Sequence, residues 1–446
     1  MKTGIAAALA ASELRGELIR PGDADYESRR RVWNGVADKR PAAIVRARNE
    51  TDIAKTVRVA AEGGALLAVR GGGHSLPGFS TCDGIVLDLS LMNQVSVDPV
   101  ARTARVGGGA LLGDLDRGGA PHGLVTPAGV VSHTGAAGLT LGGGMGWTSR
   151  RLGLTIDSLS SAEVVLADGR RVTASLESEP DLFWGLRGGG GNFGVVTSFT
   201  YRMHELGEVL VGSWQYALAD ARTVLRHFGE LTADAPRNLT ASSFLVRDGL
   251  SVTACWSGKG DGAEAAVARF GRLAAPVSAQ LGGMTFLELQ SRGDDRNRWG
   301  RRYYAKGGFF AGLDDAIVDW LVDAIGGAPS ADAEFFLNTL GGAISDVGEN
   351  DTAYSGRAAK YYWIAEPIWD DPADDARCLA WGRASARRLT EMSMAGNYVN
   401  EQADAAAGFA REAYGQDKYR RLSRLKARVD PGNLFRLNQN IEPAND

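Results

Sequence analysis

The chain has 446 residues, of which 44% are hydrophobic and 23% charged, and its formal net charge is -4. This length provides for two or three hydrophobic cores, because single cores stop growing near about 250–300 residues. The charge balance excludes a basic nucleic-acid-binding face and a polybasic membrane patch, and no apolar run approaches the roughly 20 residues that span a bilayer.

The N-terminal segment and the cysteines point to a cytoplasmic protein. The segment MKTGIAAALAASELRGELIR is interpreted as a helix rather than a signal peptide, because charges appear at Glu13 and Arg15. Cys82, Cys255 and Cys378 are odd in number and far apart, which favours neither a disulfide framework nor a zinc site. A reducing compartment is therefore expected.

Glycine is over-represented, with 59 residues where the usual share of about 7% would give roughly half as many. The glycines cluster in residues 71–73, 107–109, 142–146 and 188–191. Because glycine lets two segments approach without a side chain between them, these clusters predict several places of close backbone contact.

The first 206 residues are predicted to alternate short strands with glycine-rich loops. Apolar positions at helical spacing predict a helix over residues 51–64, followed by a buried strand at 65–70 that leads into the loop GGGH. Further elements are predicted as a strand at 84–90, a hairpin at 94–108, a helix at 110–119, a hairpin at 161–174 and a strand at 195–206.

Residues 207–394 have a different pattern, which predicts a large, mainly antiparallel sheet backed by helices. The strands are expected in VLVGSWQYAL, NLTASSFLVR, LSVTACW, RYYAKGGFF, AEFFLNTLGG and AKYYWIAEPIW, and the helices at 219–232, 262–274, 313–326 and 373–391. After residue 396 a helix is predicted at 416–428, where Asp430 and Pro431 end it.

The stretch GGGGNFG contains a formal G-x-G-x-x-G at Gly189, Gly191 and Gly194. A dinucleotide-binding fingerprint opens a helix, whereas here the β-branched stretch VVTSFTY predicts a strand. A Rossmann domain is therefore disfavoured. Bare loops that lead into strands can instead align their free N–H groups as an anion-binding nest, and several such loops suit a long ligand with a central pyrophosphate.

Four stretches carry a resemblance to a known family: RGGGHS (70–75), PAGVVSHTGAAGLTLGGGMGW (127–147), DLFWGLRGGGGNFGVV (181–196), and YVN (398–400) with DPGNLFRLNQNI (430–441). Together they resemble the FAD-linked oxidases of the vanillyl-alcohol-oxidase-like superfamily, and more narrowly their berberine-bridge-enzyme-like branch. That branch includes oligosaccharide oxidases, 6-hydroxy-D-nicotine oxidase and antibiotic-tailoring oxidases. The resemblance covers residues about 40–205 and 395–446.

The resemblance implies an α+β fold with a two-part PCMH-type FAD-binding domain. Its first part would be residues 1–206, and a C-terminal segment, 395–446, would return to it. Residues 207–394 would form the substrate-binding domain, with the large antiparallel sheet.

The resemblance also implies which residues hold FAD. The loop from Arg70 to Ser75 would wrap the pyrophosphate, and His74 would bond covalently to the 8α-methyl group of the flavin. From the residues alone, a histidine with a merely structural place in the loop is the first interpretation. The implied cofactor-binding residues are Arg70, Gly71, Gly72, Gly73, His74, Ser75, Pro127, Ala128, Gly129, Val131, Ser132, Thr134, Gly135, Gly138, Gly142, Gly143, Trp147, Val196, Tyr398, Asn400 and Asn438.

One departure from the branch concerns a second, cysteinyl flavin link that many members carry. Val131 stands at that position, and none of the three cysteines lies near it in the sequence. A single covalent bond, through His74 only, is therefore expected.

Three residues are predicted to be catalytic. Tyr398, in the Y-x-N motif, would take the substrate proton, and its free pKa of about 10 requires a neighbouring cation or hydrogen-bond donors. Lys306 is the candidate cation, and His133 is expected beside the flavin ring and the substrate. Glu366 is a further acid–base candidate. Asn400, Asn438 and Asn440 are expected to hold the flavin, and Tyr361, Trp363 and Asn338 to pack in the core.

The leading functional prediction is an oxidase that passes a hydride from a small alcohol, sugar, cyclic amine or secondary-metabolite intermediate to FAD, which O₂ reoxidises with formation of H₂O₂. Small residues around Val131 favour access of oxygen. The alternatives are a dehydrogenase with another electron acceptor and a flavin-binding protein without turnover. The chain is expected to act as a monomer or homodimer.

Overall fold

The structure is a computed structural model that describes residues 2–404 and 408–445. Within these residues, the strands form sheets of four, five and seven strands and two small two-stranded ribbons. No helix in this part of the chain combines the length and apolar character needed to cross a membrane.

The four-stranded sheet carries the first glycine loop at one end. Its strands, in spatial order, are Glu17–Ile19, Ala43–Arg46, Ile85–Asp88 and Leu67–Arg70. The last three run parallel. The helix Glu50–Glu62 makes the crossover between two of them, and the Asn49 side chain caps it by accepting a hydrogen bond from the Asp52 N–H. The loop at 71–73 therefore leaves the carboxyl end of a parallel strand.

The five-stranded sheet is antiparallel, with the order Val95–Asp98, Thr103–Gly107, Val195–Arg202, Leu159–Val165 and Arg171–Ala174. Its central strand, Val195–Arg202, follows the GGGGNFG loop directly. The prediction that this glycine motif leads into a strand, and not into a dinucleotide-binding helix, is confirmed.

The seven-stranded antiparallel sheet confirms the large sheet predicted for the middle of the chain. Its order is Ser278–Met284, Val209–Tyr216, Gly249–Trp256, Leu239–Val246, Glu334–Thr339, Tyr361–Glu366 and Lys306–Phe310. The helices Ala221–Ala233, Asp315–Ile325 and Asp375–Glu391 bury their apolar faces against one side. The two ribbons pair His204–Glu205 with Leu124–Val125 and Arg302–Tyr303 with Ile368–Trp369.

The remaining helices are short apart from the first and the last. They are Lys2–Ala11, Tyr26–Arg29, Leu112–Gly119, Ala136–Leu141, Ser149–Leu152, Pro180–Leu186, Ala263–Ala268, Phe286–Ser291, Ala343–Asp346, Phe409–Tyr414 and Gln416–Val429.

Three of the differences between the structure and the sequence prediction are instructive. Ala136–Leu141 is a helix inside a stretch that looked like glycine-rich loop. The edge strand Ser278–Met284 was not predicted, because most of its residues are exposed and show no apolar alternation. The helix expected at 262–274 ends at Ala268 and continues as a 3₁₀ turn.

The C-terminal segment is tied to the GGGGNFG loop by buried polar contacts. The Lys426 ammonium lies 2.7 Å from the Asp430 carboxylate, and both side chains are fully buried. The same ammonium donates to the carbonyl of Asn192, whose side-chain oxygen accepts from the Ile441 N–H. These bonds fix the segment that contains Asn438 and Asn440.

Candidate active site

A large cavity of about 760 Å³ lies between the glycine loops and the seven-stranded sheet, and we call it the central cavity. One wall, the backbone wall, comes from the glycine-rich segments and is lined by residues 71–76, 129–131, 134, 135, 137–139, 190–192 and 194. The opposite wall, the sheet wall, is a face of the seven-stranded sheet, where alternate residues of five neighbouring strands line the cavity. These residues are Gln215, Ser251, Thr253, Phe244, Val246, Glu334, Phe336, Asn338, Tyr362, Ile364 and Glu366.

The backbone wall requires glycine at its closest approach. A Cβ atom on Gly72 would lie 2.4 Å from both Cα and N of Gly135. Gly73 has a φ of +71°, which disfavours any residue with a side chain. Among the described residues, no protein acceptor meets the N–H groups of residues 72–75. Free amides in this arrangement form an anion-binding nest.

His74 is held on two sides beside this nest. Its ring stacks on Trp33, with 4.2 Å between ring centroids. Its Nε2 lies 2.8 Å from Nδ1 of His133, within hydrogen-bonding distance. Burial, and secondarily His133, lowers the pKa of His74 to about 3, so the imidazole is neutral. Among the described residues its Nδ1 has no protein partner.

His133 is placed differently from its prediction. It is absent from the cavity lining, and its ring lies against His74. The expected contact with the substrate therefore does not follow from its position. The adjacent Ser132 turns its N–H and hydroxyl to Asp294, at 2.8 and 2.6 Å, and this holds the loop outward.

Most predicted cofactor-binding residues line the central cavity. Those that do are Gly71, Gly72, Gly73, His74, Ser75, Gly129, Val131, Thr134, Gly135, Gly138, Trp147, Val196, Tyr398, Asn400 and Asn438. Six do not: Arg70, Pro127, Ala128, Ser132, Gly142 and Gly143.

Arg70 illustrates why a motif residue can lie outside the cavity. Its guanidinium is buried and donates to the carbonyls of Ser80, at 3.1 Å, and Arg29, at 2.5 Å. It also lies 3.6 Å from the Asp88 carboxylate. Arg70 therefore supports the loop from behind, because its own hydrogen-bond needs are met there.

Tyr398 lies on the cavity wall with a defined hydrogen-bond pattern. Its hydroxyl oxygen accepts from the Asn400 side-chain amide at 3.0 Å and from the Gly144 N–H at 3.3 Å. These donors lower the pKa of Tyr398, but burial and the Glu401 carboxyl outweigh them, and the net pKa is raised. The residue is therefore a neutral phenol near pH 7.

Lys306 does not supply the cation that was expected beside Tyr398. Its ammonium pairs with Asp404 at 3.0 Å, and it is absent from the cavity lining. Since Asp404 also bonds Tyr304 and Arg383, the lysine belongs to a separate polar cluster.

Carboxyl groups on the substrate side include residues that the sequence did not single out. Glu401 lines the cavity next to Tyr398, and burial raises its pKa to about 7. Glu366 and Glu334 are cross-strand partners in the sheet. Burial raises the pKa of both, and the Arg296 guanidinium hydrogen-bonds Glu334 and partly opposes that rise. The only feature of the sequence that could have pointed to Glu401 is its position, three residues after Tyr398.

The other sheet residues divide between core and cavity. Tyr361 and Trp363 pack against the helices, as predicted, with the Tyr361 hydroxyl 2.6 Å from Thr232 Oγ1. Asn338 was expected in the core, but it faces the central cavity. The alternation of the strand Glu334–Thr339 explains this, because Glu334, Phe336 and Asn338 share one face.

The chemistry of the backbone wall fits FAD. The amide nest at residues 72–75 suits a pyrophosphate, which needs donors and close backbone approach. Asn438 and Gln439 line the same cavity, and their buried side-chain oxygens have no partner among the described residues. Such acceptors suit the hydroxyl and N–H donors of a cofactor. No group of three or more His, Cys, Asp or Glu side chains in the described part of the chain could hold a metal ion.

Comparisons with known proteins give consistent matches. Residues 41–175 match the family model described as FAD binding domain, and residues 397–442 match the model described as berberine and berberine like. An FAD-linked oxidoreductase of Dictyostelium discoideum is 30% identical over 436 residues, which cover 96% of this chain and 95% of that protein.

The (R)-6-hydroxynicotine oxidase of Paenarthrobacter nicotinovorans is 30% identical over 448 residues, covering 96% of this chain and 97% of the relative. Among solved structures, 6-hydroxy-D-nicotine oxidase from Arthrobacter nicotinovorans superposes with a TM-score of 0.87 at 28% identity. That superposition covers 97% of this chain and 99% of the other.

Proposed function

The chain belongs to the berberine-like family of FAD-linked oxidoreductases, and from this premise we propose that it is an oxidase with covalently bound FAD. It would act on a small organic molecule, with O₂ as electron acceptor and H₂O₂ as product. The observation that carries the proposal is the central cavity itself, which has free backbone N–H groups on one wall and Tyr398 and Glu401 among its lining residues.

When bound, FAD supplies a hydride acceptor that O₂ reoxidises. The protein residues would bind and orient the two ligands. The N–H groups of residues 72–75 would hold the pyrophosphate, and the sheet face with Phe244, Phe336 and Ile364 would bind the apolar part of the substrate.

The acid–base roles are proposed from the protonation states at the cavity. Tyr398, as a neutral phenol, would donate its proton in a hydrogen bond to the reacting oxygen or nitrogen of the substrate. Glu401 would accept the substrate proton, because a general base is most effective when its pKa lies near the working pH. In this proposal Tyr398 would still be catalytic, but it would orient the substrate and would not take its proton.

Covalent attachment through His74 is supported by its position. The ring lies next to the nest and is neutral, and its Nδ1 has no hydrogen-bond partner in the described part of the chain. A second link through cysteine is disfavoured, because Cys82, Cys255 and Cys378 are all buried thiols outside the cavity lining.

Oxygen as acceptor is supported by the small residues Gly129, Val130 and Val131 on the cavity wall, which leave room beside the flavin-binding loops. The rival function is a dehydrogenase with the same fold and cofactor but another acceptor. A screen of amines, alcohols and sugars for anaerobic bleaching of the flavin absorbance gives a substrate whichever acceptor is used. Mixing the reduced enzyme with oxygenated buffer then separates the two functions. Reoxidation by an added quinone but not by O₂ would establish the dehydrogenase.

Attachment is tested by precipitation with acid after denaturation. We expect the yellow colour to remain with the polypeptide of the wild type and to pass into the supernatant for His74→Ala. Colour released equally from both proteins would refute the covalent link while leaving the oxidase function open.

A further inference from the structure

His133 has no role in the function proposed above, but its side chain contacts His74. Its Nδ1 meets Nε2 of His74 at 2.8 Å, and its own Nε2 is buried without a partner among the described residues. The two rings are tilted by 41°, with 4.9 Å between centroids, so the contact is a hydrogen bond between ring edges. A contact of this kind controls which nitrogen of each ring carries the proton.

The two possible directions of this bond have different consequences for His74. If His133 donated the hydrogen bond, the neutral His74 ring would carry its proton on Nδ1, and Nδ1 could not act as a nucleophile. If His133 accepts the hydrogen bond, His74 carries its proton on Nε2, and Nδ1 has a free lone pair. The unpartnered Nε2 of His133 then carries the proton of its own ring.

We propose that His133 is a positioning residue for flavin attachment: it holds His74 with Nδ1 free and receives the Nε2 proton when Nδ1 bonds to the flavin. This inference rests on the proposed attachment at His74. Trp33 contributes by fixing the plane of the His74 ring, and is itself fixed by stacking on Tyr303 at 3.8 Å and by donating to the Asn297 carbonyl at 2.6 Å.

The step balances in atoms and electrons. The new bond joins His74 Nδ1 to the 8α carbon of FAD, and two hydrogens leave as protons, one from that carbon and one from His74 Nε2. The electron pair of the broken C–H bond reduces the flavin by two electrons, and O₂ takes them up to give H₂O₂. Reduction of O₂ to H₂O₂ consumes both protons. His133 Nδ1, 2.8 Å away, first receives the one from His74 Nε2, so that the ring bonded to the flavin does not remain cationic, and then passes it on.

The test follows attachment itself and not turnover. The full chain is expressed in a riboflavin auxotroph, purified without flavin, and mixed with FAD in aerated buffer. Aliquots are quenched in trichloroacetic acid, and the flavin fluorescence of the denatured polypeptide is measured against time. Retention of FAD on a desalting column before the quench reports total binding separately.

We expect His133→Ala to slow attachment by about 100-fold, the usual scale for loss of a proton acceptor, with total binding retained. Added imidazole, which fits the space left by the ring, should restore much of the rate. His133→Asn can accept the hydrogen bond but not the proton, and should fall between the wild type and His133→Ala. His204→Ala removes another half-buried histidine, bonded to Ser158, and should attach at the wild-type rate.

Attachment of His133→Ala at the wild-type rate would overturn the proposal, and so would a slow rate that imidazole leaves unchanged, since that points to loop distortion alone. A failure of the proposed function looks different: the wild type itself would form no acid-stable flavin, and His74→Ala would behave identically.

Discussion

The two walls of the central cavity are built in different ways. The backbone wall, which we propose as the flavin-side wall, depends for its shape on glycines at contact distance and on a few buried polar bonds from distant segments. The sheet wall, which we propose as the substrate-side wall, consists of side chains on a regular antiparallel sheet, whose core is ordinary apolar packing against three helices.

This difference separates what can vary from what cannot. On the sheet, each inward residue can be exchanged without moving the backbone, so the wall can be refitted to a new substrate. On the flavin side, a single Cβ at Gly72 would collide with the main-chain atoms of Gly135, and no rotamer change relieves that contact. The family's common cofactor and varied substrates fit this division.

The largest effect is expected from breaking the buried ion pair behind the flavin-side wall. Lys426→Met leaves the Asp430 carboxylate buried without its partner, and should reduce the free energy of unfolding by about 3–5 kcal/mol. Urea denaturation followed by circular dichroism measures this. The control on the substrate side is Arg388→Met, which removes an exposed pair with Glu391 and should cost at most about 1 kcal/mol. Equal losses in the free energy of unfolding for the two variants would contradict the difference between the two sides of the cavity.

The next effect concerns chemistry at the substrate-side wall. Tyr398→Phe removes the hydroxyl and should slow anaerobic flavin reduction by about 100-fold, while flavin content stays unchanged. Stopped-flow absorbance at the flavin band gives the rate. Tyr361→Phe removes a buried hydroxyl from the core behind the seven-stranded sheet, outside the cavity lining, and should leave the rate unaltered. A Tyr398→Phe enzyme with the wild-type reduction rate would remove this residue from the mechanism.

A smaller effect depends on pH. In the folded protein the pKa of Glu401 is raised from the ordinary 4.5 to about 7, so the native state binds a proton more tightly than the unfolded chain. Stability from this group is present below pH 4.5 and is lost as the pH rises through 7. Glu401→Gln should therefore be more stable than wild type at pH 8, by up to about 3 kcal/mol. At pH 4 the two should unfold alike, and the gain at pH 8 should appear as a higher midpoint in calorimetry.

The smallest effect on stability is expected at Gly138, where a substitution separates folding from cofactor binding. A Cβ at this cavity-lining residue of the helix Ala136–Leu141 meets no protein atom within 4 Å. Gly138→Ala should change the free energy of unfolding of the flavin-free protein by no more than about 1 kcal/mol, in the stabilising direction. Its flavin content should nevertheless fall, because the cofactor needs that space. Gly282→Ala, with equally open surroundings on the edge strand, should keep full flavin content.

The sequence predicted the backbone wall better than the side-chain contacts. The strand Leu67–Arg70 before the GGGH loop and the strand Val195–Arg202 after the GGGGNFG loop were correctly located, because glycine clusters and β-branched runs are local signals. The partners of His133 and Lys306 were not, because they depend on how the loop at 129–134 and the strand Lys306–Phe310 meet distant segments. Lys306 finds Asp404, about a hundred residues away, and no local pattern encodes that pair.

Glu401 and Asn338 show a second limit. Asn338 belongs to a strand that was predicted, but the face that it presents follows from a register that only the assembled sheet defines. Glu401 lies in the segment that follows the Y-x-N motif, where no helix or strand was predicted and the residue belongs to none. Arg70 shows a third limit, because a residue inside a binding motif can turn its guanidinium to acceptors behind the loop.

The anchoring of Asn192 by Lys426 and Ile441 has a consequence for the order of events in the cell. The ribosome synthesises residues 72–75 long before the C-terminal segment, whose Lys426 and Ile441 hold the neighbouring loop. Until that segment has been made, the cavity is incomplete. Binding of the prosthetic group should therefore follow the completion of translation.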